Sequence, residues 1–157
     1  MALIKLNNNS ISAVSALPSG IDTGKVGQVV QTVSSTKVAT TSQSFTDILT
    51  VAITPSATSS KILINFSGMV GTGGANLNNT YQISRDSTAL QVPQFARSGE
   101  TDANRSTVTN LLDSPSSTSA ITYKMQFKCA SNEMFLNRNG SNDHCGFSTL
   151  TAMEILA

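Results

Sequence analysis

The sequence predicts an all-β protein, an antiparallel β-sandwich of the jelly-roll type that follows an extended N-terminal arm. Ser and Thr fill about a quarter of the 157 residues and only 12% are charged, a bias that disfavours helices and favours strands. Apolar and polar residues alternate with a period of two in several segments. Turn-forming clusters separate these segments at regular spacing, with no amphipathic helix between them, which is typical of sandwiches and jelly rolls.

The first predicted unit is an arm that comprises residues 1–24. Pro18, Gly20 and Gly24 punctuate it, and scattered aliphatic residues lie among Asn and Ser. Such a segment cannot build a core by itself, so we expect it to dock on a larger assembly. A disordered tail is the alternative, although tails seldom keep so many aliphatic residues. The aliphatic residues expected to make the contact are Leu3, Leu6, Ile11, Val14, Leu17 and Ile21.

The second predicted unit, residues 25–157, contains about eight to ten short strands. The clearest is residues 121–129, where Ile, Tyr, Met, Phe and Cys alternate with Thr, Lys, Gln and Lys, as in a sheet with one wet face. The terminal strand is apolar on both faces, so we expect it inside the sandwich or at a subunit contact. The other segments of strand character are residues 26–42, 45–55, 60–70, 80–86, 106–114, 133–139 and 145–157.

Two glycine clusters resemble phosphate-binding loops but lack their pattern. Such a loop needs Gly, four residues, Gly-Lys and then Ser or Thr, between a strand and a helix. Gly20 and Gly24 are one residue too close, and Val26 stands where the hydroxyl residue is needed. A β-branched run follows, so we predict a hinge. The second cluster, residues 68–76, is predicted to be a turn after a strand, because no helix follows it either. Alternatively, Gly68 and Gly71 are expected to permit a bulge or a close approach of neighbouring backbones.

The remaining reactive residues do not predict catalysis. His144 is the only histidine, so the chain has too few nitrogen and sulfur ligands for zinc unless symmetry-related subunits supply them. The acids are mostly isolated in predicted turns, and no GxSxG elbow occurs. Cys129 and Cys145 are expected to be free thiols, the first of them buried, with a single bridge as the alternative. We therefore expect no enzyme, no cofactor and no bound metal.

Charge and aromatic content exclude further classes. The net charge is +1, without a run of Lys or Arg, so neither nucleic acid nor a membrane surface is an expected partner. No signal peptide or transmembrane stretch is visible, which predicts a soluble product with no membrane insertion. The chain has no Trp, and Tyr81 and Tyr123 fall on apolar faces. A broad stacking platform for sugars is therefore not expected, although loop tips could still recognise them.

The order of motifs resembles a recurrent domain of tailed bacteriophages, especially marine ones, that occurs in tail-fibre and other virion surface proteins. The motifs are GKVGQVVQT, then SFTDILTVAITPSATSSKIL, then ISRDSTAL, then LLDSPSSTSAITYK, and they cover nearly everything after residue 24. The resemblance implies a homotrimeric jelly-roll knob. Because the arm here is short, whereas fibre proteins usually carry long shafts, a stubby spike, a head fibre or a capsid-decorating trimer is favoured.

We therefore expect a noncatalytic virion structural protein, assembled in the host cytoplasm, that forms a homotrimeric surface knob or short fibre. Residues 1–24 would anchor it to other tail or capsid proteins, and residues 25–157 would form the knob. A stand-alone, lectin-like glycan-binding module is the alternative. If the knob contacts a host-surface glycan, the expected loop residues are Arg97, Glu100, Asp102, Arg105, Arg138, Asn142, Asp143 and His144.

Overall fold

The computed structural model describes residues 25–75, 78–96 and 104–156; the predicted arm, residues 1–24, lies outside them. The described residues form eleven β-strands in two antiparallel sheets and contain no helix. In chain order the strands are β1 (Lys25–Ser34), β2 (Val38–Thr40), β3 (Thr46–Ile53), β4 (Lys61–Thr72), β5 (Thr80–Arg85), β6 (Thr88–Ala89), β7 (Gln94–Phe95), β8 (Asn104–Asp113), β9 (Ile121–Lys128), β10 (Met134–Leu136) and β11 (Ser148–Leu156).

The first sheet is built around the long strand β4. On one side β4 pairs with β8, and on the other it pairs first with β11 and then with β10. β1 pairs with the outer edge of β11, and β2 pairs with the outer edge of β10. The sheet is therefore four positions wide, with β8 at one edge and the consecutive strands β1 and β2 at the other.

The second sheet has the order β3, β9, β5, with the short strands β6 and β7 both paired to β5. Along the chain, the main strands alternate between the two sheets. β1, β4, β8 and β11 lie in the first sheet, and β3, β5 to β7 and β9 lie between them in the second. This alternation between two antiparallel sheets is the connectivity of a jelly roll. The predicted fold class is confirmed.

The core lies between the two sheets, where the period-two alternation of the sequence places its apolar residues. Along β4, Ile62, Ile64 and Phe66 are completely buried, and the residues between them face outward. The predicted alternation of β9 is confirmed, because its apolar positions are buried and its Thr, Lys and Gln positions are more exposed. The terminal strand β11 is confirmed as an interior strand, since it pairs with β1 on one side and β4 on the other.

The second glycine cluster is only partly the predicted turn, and its first glycines allow the alternative, a close approach. β4 continues through Thr72, so the cluster begins inside a strand, and only its later residues form a turn. Close packing explains the glycines: a Cβ atom on Gly71 would lie 2.0 Å from Cε2 of Phe135. Glycine therefore lets the β4 backbone pass against a buried aromatic ring while the ladder to β8 and β10 continues.

The two cysteines are free thiols, as expected. Cys129 is buried, and its Sγ donates to the backbone oxygen of Thr40 at 2.9 Å. Burial raises the pKa of this thiol, which keeps it protonated and unreactive. Within the described residues, no helix is long and apolar enough to cross a membrane.

Candidate functional surfaces

The two ends of the sandwich differ in what they carry. At one end, which we call the arm end, Lys25 begins β1 opposite Leu156, and Lys61 begins β4 opposite Ile155. The chain that follows residues 1–24 therefore enters the sandwich there. At the other end, the loop end, lie Thr72 at the close of β4, the start of β8, and the loop of residues 137–147.

The described contact residues predicted from the sequence all lie at the loop end. Arg105 follows Asn104 in β8, and the side-chain amide of Asn104 donates to Cys145 Sγ at 3.5 Å. His144 and Asn142 belong to the same loop as Cys145. The structure thus brings these residues to one end of the molecule. Three further predicted contact residues, Arg97, Glu100 and Asp102, lie outside the described residues.

The loop of residues 137–147 is held against the link between β1 and β2. His144 Nε2 donates to the Ser35 carbonyl oxygen at 2.7 Å, and Lys37 Nζ donates to the Asn142 carbonyl oxygen at 3.0 Å. The backbone N–H of Asp143 donates to Asn139 Oδ1 at 2.7 Å, a local turn that leaves Asp143 exposed. Asn142, Asp143 and His144 therefore form an ordered, exposed tip.

Arg138 differs from the other described residues of the predicted contact set because it is buried, with 6% of its surface exposed. Its guanidinium pairs with Glu133 and stacks over the Phe135 ring, 4.2 Å from the ring centroid. In this arrangement Arg138 links the loop of residues 137–147 to Glu133 and Phe135. A direct receptor contact by this residue stays a prediction.

Asn137 is a residue that the sequence reasoning missed. It is fully buried, and its side-chain amide donates to the carbonyl oxygens of Ser34 and Thr36 at 2.9 and 3.1 Å, while Ser148 Oγ donates to its Oδ1 at 2.6 Å. Its φ of 59° is in the left-handed region that Asn tolerates. The only signal in the sequence was an Asn after an apolar strand, which also fits an exposed turn.

A groove of about 260 Å³ opens beside the loop end, between β4, β5, β7 and β8. Its lining includes Tyr81, Phe95 and Arg105. Phe95 is 66% exposed, and Tyr81 is half-buried and packs against the core. Two aromatic rings and one guanidinium thus border a single concavity.

The outer face of the first sheet carries no charge over most of its length. The outward positions of β1, β11, β4 and β8 lie in three cross-strand rows. We call these twelve residues the uncharged face. The rows are Val29, Met153, Leu63 and Leu112; then Gln31, Thr151, Asn65 and Asn110; then Val33, Thr149, Ser67 and Val108.

Apolar exposure on the uncharged face is concentrated at its two edges. On β1, Val29 and Val33 are 56% and 58% exposed, and on β8, Val108 and Leu112 are 59% and 53% exposed. We call these pairs the β1 patch and the β8 patch. Between them, amide and hydroxyl groups pair with each other: the Gln31 amide donates to Thr151 Oγ1 at 2.8 Å, and the Asn65 amide donates to Asn110 Oδ1.

The outer face of the second sheet is charged, and its charges pair across strands. Lys124 Nζ lies 2.8 Å from Asp47 Oδ2, and the Gln126 amide donates to Asp47 Oδ1 at 2.6 Å. The hydrogen bonds from Lys124 and Gln126 lower the pKa of Asp47. Lys128 lies over the Phe45 ring. This surface, which we call the charged face, has the composition of an ordinary solvated sheet.

A buried carboxylate closes the arm end. Glu154 is 1% exposed, and its Oε2 accepts from the Gln28 amide at 2.7 Å while its Oε1 accepts from the backbone N–H and hydroxyl of Ser56 at 2.6 and 2.7 Å. Burial alone would raise the pKa of this carboxyl, but the surrounding donors lower it to about 2. Ser60 Oγ has no hydrogen-bond partner among the described residues, so we attribute the lowering to Gln28 and Ser56.

A second polar cluster joins the two sheets. Asp113 at the end of β8 accepts from Arg85 and from the Tyr123 hydroxyl, at 2.7 and 2.8 Å. Burial and the Asp113 carboxylate raise the pKa of Tyr123, so its hydroxyl remains a donor. The described acids are thus all engaged in structural contacts: Asp47, Asp86, Asp113, Glu133, Asp143 and Glu154.

The part of the chain that the structure describes holds no group of three or more His, Cys, Asp or Glu side chains that could bind a metal ion. The side chain of His144, the one histidine, is hydrogen-bonded to the Ser35 carbonyl oxygen. The absence of a cofactor and of a metal stays a prediction.

Comparisons with known proteins find no family model and no curated protein that matches the chain. Among solved structures, it is similar to the VP2 subviral particle of infectious bursal disease virus, with a TM-score of 0.45, 15% identity, and coverage of 83% of this chain and 37% of that one. The Gx strain of that virus gives 0.43, 12%, 83% and 37%. A mutant VP2 in derived T=1 particles gives 0.43, 12%, 92% and 41%. The chain thus spans about two fifths of those proteins.

Proposed function

We propose that the chain is a noncatalytic structural subunit of a virion, which forms a homotrimeric surface knob or short fibre. The observation that carries the proposal is that the two ends of the sandwich differ. The chain enters at the arm end, beside Lys25, whereas the exposed tip with Asn142, Asp143 and His144 lies at the loop end. Attachment through residues 1–24 would therefore direct this tip away from the particle.

The use of the acidic residues supports a structural role. Asp47 and Asp113 join neighbouring strands or the two sheets, and Glu154 ties β11 to β1 and to the loop before β4. Each of these carboxylates is held by donors that stabilise its charged form. A general acid at neutral pH needs a raised pKa, whereas the pKa values of Asp47 and Glu154 are lowered.

The assignment to a virion is supported by the order of sequence motifs, which resembles tailed-phage surface domains. In such a virion, the arm contacts tail or capsid proteins, and the loop end is the candidate surface for contact with the host. The aliphatic residues among Asn and Ser in residues 1–24 suit burial against another protein, at about 25 cal/mol per Å² of apolar surface covered.

The test is incorporation into particles. A full-length variant in which the six aliphatic arm residues are replaced by Ser should remain a folded trimer but be absent from purified virions. The control replaces Thr50 and Thr122, on the charged face, by Ser and should be incorporated normally. Full occupancy of the arm variant in virions would contradict the anchoring role, and a wild-type monomer would contradict the trimer.

A glycan-binding module is the second candidate, and the groove favours it. Aromatic rings stack on sugar rings, and an Arg side chain pairs with a sugar carboxylate; Tyr81, Phe95 and Arg105 supply both. A glycan array with the wild type and with Arg105→Ala should then show binding to acidic sugars that the variant loses. Arg138→Ala would not test this groove, because Arg138 is buried and does not line it. Absence of binding to any sugar on the array would reject this candidate.

A further inference from the structure

We propose that the uncharged face is the surface through which three copies of the chain associate, with the β1 patch of one copy packed on the β8 patch of the next. The inference rests on the proposed trimer and specifies the surface that forms it. It follows from charge, from the distribution of apolar side chains and from the width of the sheet.

The two outer faces differ in the free energy that it costs to cover them. Removal of an unpaired charge from water is expensive, and even a paired charge loses hydration that its partner only partly replaces. The charged face would bury Asp47 and Lys124. The uncharged face would bury aliphatic groups together with amides that already bond to neighbours, such as Gln31 to Thr151. Association therefore favours the uncharged face.

The placement of the exposed aliphatic residues on the uncharged face also favours association there. They form two different patches at opposite edges of one sheet, Val29 with Val33 on β1 and Val108 with Leu112 on β8. A contact between two different patches is heterologous, and such contacts close into a ring when the rotation between subunits allows it. The same contact would cover both exposed edges of the first sheet, which are otherwise open to unwanted strand pairing.

The width of the first sheet also fits an assembly of three copies. Four strands spaced by about 4.8 Å make a sheet about 19 Å wide, and three such sheets arranged as a triangular prism each lie about 5.5 Å from the axis. This distance is close to half of the roughly 10 Å at which two sheets pack face to face. The side chains of three uncharged faces would thus fill the centre without a channel, and the axis would run along the strands, from arm end to loop end.

The experiment measures the molar mass of full-length protein by light scattering over a range of concentrations. Val33→Asp and Val108→Asp each introduce a charge into one patch, and we expect trimer dissociation to be favoured on the order of 100-fold or more. Val33→Thr and Val108→Thr keep the shape without the charge and should remain trimeric. Thr50→Asp adds the same charge to the charged face and should also remain trimeric.

Circular dichroism checks that each variant is folded, and Val33→Asn or Val108→Asn replaces any aspartate variant that is not. A wild-type chain that is not a trimer contradicts the proposed function. A wild-type trimer that persists in both aspartate variants, or in both asparagine replacements, overturns only the present inference.

Two double variants test which patches meet. In Val33→Lys with Val108→Asp, opposite charges face each other if the β1 patch contacts the β8 patch, whereas Val33→Asp with Val108→Asp places like charges there. We expect the first double variant to dissociate at least about tenfold less readily at low salt. Equal dissociation of the two would overturn the β1-to-β8 contact.

Discussion

The two outer faces of this sandwich follow the same alternation of inward and outward residues but use opposite chemistry. On the second sheet, outward positions carry Asp47, Lys124 and Lys128, and the charges pair across strands. On the first sheet, the uncharged face carries Val, Leu, Met, Asn, Gln, Ser and Thr, while the deeply buried acid of this sheet, Glu154, points inward. Alternation therefore identifies which residues face outward, but the chemistry of those residues indicates whether they face water.

The largest expected effect sharpens this contrast by removing one acid from each sheet. Glu154→Ala removes the buried carboxylate that accepts from the Ser56 N–H and hydroxyl and from the Gln28 amide, which keeps only its bond to the Thr54 carbonyl oxygen. We therefore expect a loss of about 3 kcal/mol in the free energy of unfolding. Asp47→Ala breaks an exposed pair and should cost less than about 1 kcal/mol. Urea denaturation followed by circular dichroism measures both. Equal losses would show that Glu154 is not the buried support described above.

The pH dependence of stability follows from the same carboxylate. Its pKa is lowered from 4.5 to about 2 in the folded protein, so its contribution is complete above about pH 4.5 and is lost as the pH falls towards 2. The difference in unfolding free energy between wild type and Glu154→Gln should therefore shrink by about 3 kcal/mol over that range. A difference that stays constant between about pH 6 and pH 2.5 would contradict the lowered pKa.

A smaller effect is expected where the first sheet packs most closely on its inner side. Gly71→Ala would force a methyl group against the Phe135 ring, so we expect a loss of about 1–3 kcal/mol in stability. Gly73→Ala is the matched control, because its methyl group would meet only the flexible Glu133 side chain, 2.8 Å from Cγ. Thermal unfolding of the two variants provides the comparison, and a Gly73→Ala loss as large as that of Gly71→Ala would contradict this packing.

The smallest expected effect is that of salt on association. Because the uncharged face contains no charges, screening should alter the trimer dissociation constant by less than about threefold between roughly 50 and 500 mM NaCl. Assembly through the charged face would instead depend strongly on salt, because it would bring charged side chains of different copies, such as Asp47 and Lys124, close together. Sedimentation equilibrium across this salt range distinguishes the two, and a strong salt dependence would point to the charged face.

Much of the fold could be predicted from the sequence, because period-two alternation and turn clusters act locally. The β9 alternation is an example, and it is present in the structure. For the glycine cluster at residues 68–76, the sequence left a turn and a close approach at Gly68 and Gly71 both open, because the ring that requires Gly71 comes from Phe135, distant in the chain. The structural roles of Asn137 and Glu154 could not be predicted for the same reason. Asn137 bonds to Ser34, 103 residues away, and Glu154 bonds to Ser56, 98 residues away.

The candidate surfaces depended still more on pairing between strands. The sequence identified individual loop residues, but only the register shows that Arg105 and the tip with His144 share one end of the sandwich. Part of the uncharged face could be predicted from the sequence, because outward positions of residues 63–69 and 106–112 contain no charge. Its two patches could not be located until β1 and β8 were known to be the edges of one sheet.

The most direct measurement is hydroxyl-radical footprinting of the full-length wild type beside the Val33→Asp variant. We expect Val108 and Leu112 to be several times less reactive in the wild type, because a neighbouring copy covers them, while Val92, which is 79% exposed, reacts equally in both. If Val108 and Leu112 react in a wild-type trimer as they do in the variant, the uncharged face is open to solvent and the proposed association is wrong.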